Sequence, residues 1–127
     1  MTTAPSFYER VGGESGTRKL VDRFYDLMDT LPEAQTIRAL HPPSLDESRT
    51  KLFEFLSGWL GGPPVYMEKR GHPRLRARHM PFAIDKPGVD AWLLCMFRAL
   101  DECVDDVDCV EKLKGGLRPL AEHMQNR

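Results

Sequence analysis

The sequence predicts an all-α fold. Apolar residues recur at three- and four-residue spacing through most of the chain. No run alternates with the period of two that a half-buried strand requires. Clusters of glycine and proline fall between the periodic segments, where they would break helices. The 127 residues are expected to form one domain, residues 1–127, and a 41% hydrophobic content is enough to fill its core.

Each element has its own warrant. Leu20, Val21, Phe24, Tyr25, Leu27 and Met28 form one helical stripe, entered through Gly12-Gly13 and Glu14 and ended by Pro32. A short helix is expected from Glu33 to Leu40, stopped by the proline pair after His41. Leu52, Phe55, Leu56, Trp59 and Leu60 predict a helix over 45–60, with Ser44 as its cap and Glu47 completing a capping box. The Gly61–Pro64 stretch breaks it, and a long, mostly irregular segment follows. Two turns are expected from Pro73 to about Met80, closed by Pro81. Trp92, Met96, Ala99, Leu100 and Cys103 mark a helix over 87–103. Val107, Val110, Leu113, Leu117, Leu120 and Met124 mark the last one, with a kink expected near Gly115, Gly116 and Pro119.

Bulk properties narrow the function. The formal net charge is -1, with 18 basic against 19 acidic residues, so nothing draws the whole chain to nucleic acid. Cys95, Cys103 and Cys109 have no zinc spacing and read as free thiols on helices in a reducing compartment. No apolar run is long enough for a membrane span, and no secretory signal is visible, so a cytoplasmic protein is expected.

The informative stretch is EKRGHPRLRARHMPFAI, residues 68–84, which holds two of the four histidines. His72 precedes a proline in a glycine turn and reads as solvated. Leu75, His79 and Phe82 share an apolar stripe, and Arg70, Arg74 and Arg78 form a stripe beside it. The residues alone leave His79 three roles: a core histidine bonded to a carbonyl, a ligand, or an acid–base group. The combination also suits a flat apolar cofactor with iron at its centre and carboxylates at one edge.

FYERVGG, FYDLM, FLSGWLGGP, RGHPRLRARHMPF and DAWLLCMFRAL occur in this order, and the sequence resembles the truncated haemoglobins, in particular their second group. The resemblance runs from about Phe7 into the last helix, and the fourth motif is its most specific part. It implies a shortened globin, a two-on-two helical sandwich around haem b. It makes His79 the proximal iron ligand and places Tyr25 and Trp92 in the distal pocket. His41 falls where the family has an aromatic residue, and Ser48 where ordinary globins carry a distal histidine. Leu52 and Phe55 would line the distal wall. Phe82, on the His79 stripe, joins the cofactor-binding set, and Tyr66, Arg70 and Arg78 match polar positions near the propionates. Histidine at 41, in place of a larger aromatic, departs from the family pattern, as do the two glycines and the proline of the last helix.

The implied function is binding of O2, and of CO or NO, at a five-coordinate haem iron. A bound diatomic ligand gathers partial negative charge, which the donors of Tyr25, His41 and Trp92 would stabilise. Tight retention suits sensing, storage or redox chemistry better than oxygen transport with ready unloading. The alternative is a peroxidase-like or nitric oxide dioxygenase enzyme in the same pocket, served by a reductase. A monomer or homodimer is expected, with no nucleic-acid or membrane partner.

Overall fold

A computed structural model of the chain describes residues 4–127. Its order is α1 (Phe7–Val11), α2 (Gly13–Thr30), a 3-10 turn (Pro32–Ala34), α3 (Gln35–Arg38), α4 (Asp46–Trp59), α5 (Val65–Arg70), α6 (Leu75–His79), α7 (Lys86–Cys103) and α8 (Val107–Glu122). The described residues contain no strand. α2 packs on α4 and on α7, and α7 packs on α8. The result is one helix pair laid on another, the two-on-two arrangement that the family resemblance implies.

The centre forms where the α2 and α7 stripes meet. Val21, Phe24 and Met28 face Cys95, Met96, Ala99 and Leu100, and all seven are fully buried. Burying a large apolar side chain contributes about 1.5–3 kcal/mol, so this seam carries much of the stability. Cys109 and Leu113 bring α8 onto the same core. The three cysteines are free thiols, Cys95 and Cys109 buried and Cys103 half-buried. Among the described residues, no helix is long and apolar enough to cross a membrane.

Local chemistry sets the boundaries. Ser6 caps α1 by accepting from the Glu9 amide at 3.1 Å. Gly12 then turns the chain into α2 at a φ of 110°, a conformation that favours glycine. Asp85 and Asp106 cap α7 and α8 by accepting from the Gly88 and Cys109 amides.

Four expectations are corrected. Ser44 is not the cap of α4. Leu45 holds that position in a near-helical conformation without a side-chain bond, and Ser44 Oγ accepts from the Asp46 amide instead. Glu47 is consequently free to pair with Lys51, one turn on. Pro73 does not open α6, because Arg74 adopts a left-handed φ of 46° and its amide donates to His72 Nδ1 at 3.1 Å. The arginine stripe is split, because Gly71 separates Arg70 at the end of α5 from Arg78 on α6. Finally, α8 runs unbroken through Gly115, Gly116 and Pro119. Gly116 serves packing there: a Cβ would stand 3.3 Å from the Trp59 ring, which lies against the helix.

Candidate functional site

Phe24 organises one side of the site. Its ring is fully buried, 4.9 Å from Tyr25 and 5.1 Å edge-on from Trp92. The His41 ring stands edge-on to Tyr25 at 5.9 Å. Helix α2, the turn after α3 and helix α7 thus each deliver one polar aromatic side chain to a single cluster. His41 is oriented by its own turn, with Nδ1 2.9 Å from the Ile37 carbonyl. That contact makes Nδ1 the donor and leaves Nε2 with a lone pair.

Tyr25 is buried, and its hydroxyl is pushed up to about 12. Burial is the main cause, and nearby Arg49 and Ser48 oppose it. The phenol therefore keeps its proton across the physiological range. Arg49 lies over the Tyr25 ring at 5.9 Å and is itself fixed by Asp22 and Asp26. His41 is held below the ordinary histidine value, chiefly by burial, which outweighs its bond to the Ile37 carbonyl and is aided by the charge of Arg38.

The opposite side is built differently. α6 buries none of its residues. His79 Nδ1 lies 2.5 Å from the Leu75 carbonyl, so its Nε2 is likewise left as an acceptor. Leu52 and Phe55 on α4 are half-buried, whereas their neighbours Phe53 and Glu54 are buried. Phe82, just beyond α6, is 41% exposed. Tyr66 is buried edge-on to Phe55, with the Arg70 and Arg78 guanidinium groups each 5.9 Å from its ring.

The Tyr66–Arg70–Arg78 group is thus brought together, but both arginines are already engaged. Arg70 Nε donates to Glu54 Oε1 at 2.9 Å, and Arg78 Nε donates to the Pro73 carbonyl at 2.7 Å. Glu54 was not anticipated from the sequence. Burial pushes its carboxyl up, but the bonds from Arg70 and Lys69 outweigh that and hold it below its usual value. A charged residue inside the apolar run LFEFL was the available signal. Arg49 and Asn126 were also missed, since their roles depend on partners far away in the chain.

Around the Phe24 cluster and on α6, Nε2 of His41, Nε2 of His79 and Nε1 of Trp92 have no hydrogen-bond partner among the described residues. No enclosed side-chain nitrogen or oxygen among those residues lacks a partner, so each of the three opens onto accessible space. An imidazole with a free Nε2, half-buried apolar side chains on α4 and exposed Phe82 fit a flat apolar group carrying iron. Haem matches this donor set, and His79 is the residue that could hold the metal.

The comparisons agree. The family model described as bacterial-like globin matches residues 6–126. The group 2 truncated hemoglobin of Bacillus subtilis is 42% identical over 120 residues, covering 94% of this chain and 88% of that one. An X-ray structure described as a truncated oxygen-avid haemoglobin from Bacillus subtilis is 42% identical, with a TM-score of 0.86 over 96% of this chain and 100% of that one. The cold-adapted truncated hemoglobin of Pseudoalteromonas haloplanktis is 47% identical with a TM-score of 0.95, covering 97% of this chain and 99% of that one. The group II 2-on-2 hemoglobin of Agrobacterium tumefaciens is also 47% identical, with a TM-score of 0.96 over 98% and 97% of the two chains. With the motif order, the helical sandwich and the histidine-centred site, these matches make the chain a member of the bacterial-like globin family and, within it, a group II truncated haemoglobin.

Proposed function

We propose that this globin binds O2, and also CO and NO, at a five-coordinate haem b held by His79, with Tyr25, His41 and Trp92 gripping the ligand. The observation that carries this reading is the cluster of Tyr25 and Trp92 against Phe24, with His41 edge-on to Tyr25, in a chain whose α6 carries a histidine with its Nδ1 turned to a carbonyl and its Nε2 without a partner. Haem supplies the iron at which a diatomic ligand is taken up. The chain supplies the rest. The Trp92 indole can only donate. The Tyr25 hydroxyl stays protonated and can donate. His41 accepts at Nε2 in the tautomer its Ile37 bond favours. Each donor is worth on the order of 1 kcal/mol, so Trp92 and Tyr25 together would slow ligand release by roughly tens to hundreds of fold. The description of the Bacillus subtilis relative as oxygen-avid supports tight retention. On this reading the protein is cytoplasmic, and a reductase keeps its iron ferrous.

One observation favours a second reading, a haem redox enzyme of peroxidase or nitric oxide dioxygenase type. His41 Nε2 is an unpaired acceptor beside the Tyr25 ring, placed to take a proton from a substrate in the pocket. An absorption spectrum of the oxidised, reduced, O2-exposed and CO-exposed protein tests the first reading. A Soret band that shifts with each ligand supports it, and failure to take up added hemin overturns it. Sustained turnover with reductant and peroxide or nitric oxide would favour the second.

A further inference from the structure

Helix α6 buries no residue and has no side-chain cap, yet it carries the histidine read as the iron ligand. Something outside the helix must fix it. The structure assigns that task to Asn126: we propose that its side chain is a positioning clamp that sets the backbone of His79, and so the placement of the imidazole beneath the iron. This inference rests on the reading of His79 as the iron ligand.

All the polar groups of the Asn126 side chain are spent on the last residue of α6 and the segment that follows it. Its Nδ2 donates to the His79 carbonyl at 3.3 Å and to the Phe82 carbonyl at 2.9 Å. Its Oδ1 accepts from the Ile84 amide at 2.9 Å. Because the Ile84 N–H can only donate, the amide orientation of Asn126 is determined by its partners. The backbone repeats the link, with the Asn126 and Arg127 amides both donating to the Ile84 carbonyl, at 2.8 and 3.0 Å. From the other direction, Arg76 on α6 donates to the carbonyls of His123 and Gln125, at 2.5 and 3.0 Å.

The proximal histidine is therefore positioned through the end of α8, and α8 is anchored in the core by Leu113 and Leu117, each about 97–98% buried. Asn suits the position because it offers two donors and an acceptor on a short stem. Aspartate has the same shape but would turn a carboxylate oxygen toward two carbonyls.

The test compares the haem-loaded protein with Asn126→Asp and Asn126→Ala. Three readouts are taken: the iron–histidine stretching band of the ferrous protein by resonance Raman, haem loss to excess apomyoglobin, and the thermal midpoint. The expected result is a shifted or broadened band in both variants and haem loss about tenfold faster, the size expected for losing one or two hydrogen bonds. A lowered midpoint with an unmoved band and unchanged haem loss would make Asn126 merely structural and overturn the clamp. The parent protein separates the two levels of inference. If its own iron–histidine band is absent, the His79 assignment fails and the clamp with it. If the band is present in the parent and identical in both variants, the clamp alone fails.

Discussion

The two faces of the site are built by opposite strategies. Tyr25 and Trp92 grow from 18-residue helices whose inner stripes are buried. Phe24 joins them from the core, so the distal face is rigid because the fold is. The proximal face hangs on a five-residue helix with no buried residue, tied down by hydrogen bonds from the chain beyond α8. Apolar packing is non-directional and fixes a whole surface, whereas hydrogen bonds fix particular atoms. The first strategy holds a cluster of donors together. The second holds one ligand atom while leaving its surroundings free to adapt to a large group.

The contrast predicts where substitutions separate haem binding from folding. His79→Ala should abolish stable haem uptake, the largest effect, while apoprotein helicity measured by far-ultraviolet circular dichroism stays near that of the parent. Retention of haem with an unchanged spectrum would remove His79 from its role. Phe24→Ala should do the reverse. Emptying a fully buried aromatic site costs about 3–5 kcal/mol, so denaturant unfolding should shift accordingly and the distal groups should lose their common support. A cost below about 1 kcal/mol would show that the distal face does not depend on this core residue.

The same contrast explains what was legible in the sequence. α2, α4 and α7 are long enough for their periodicity to show, and Tyr25, Trp92, Leu52 and Phe55 ride on them. α5 was not anticipated, because six residues with only Tyr66 buried leave no stripe to read. The arginines near residues 70–78 looked like one helical face because their spacing is regular, yet Gly71 and the left-handed Arg74 divide them. Asn126 gave no signal. Its partners His79 and Phe82 lie 47 and 44 residues away, and no local pattern encodes a contact between two loops. Glu54 could have been noticed as a charge inside an apolar run, but the identity of its partners depends on how α5 folds back on α4.

Tyr25 offers a third test, through pH. Its folded value of about 12 lies above the ordinary tyrosine value near 10, so the neutral phenol is favoured in the folded state. Its contribution is fully present below pH 10, and it falls away as pH rises through 12, because the unfolded chain loses the proton first. The stability difference between the parent and Tyr25→Phe should therefore shrink or change sign by up to ~2–3 kcal/mol across that window. Parallel pH profiles for the two proteins would show that Tyr25 is not desolvated by the distal frame.

The smallest effect is the most selective. Trp92→Phe keeps an aromatic ring to pack on Phe24 and deletes one N–H donor. Loss of about 1 kcal/mol should speed O2 release by roughly fivefold in stopped-flow measurements, with little change in the thermal midpoint. Because the indole faces the site from the packed side, the iron–histidine stretching band should stay where it is. Asn126→Asp predicts the opposite pattern, a moved band with the distal donors intact. If both substitutions moved both readouts, the faces would be mechanically coupled through the core, and α8, which touches α7 and carries the Asn126 segment, would be the element transmitting between them. If release is unchanged in Trp92→Phe, indole donation is not what retains the ligand, and the hold passes to the Tyr25 hydroxyl.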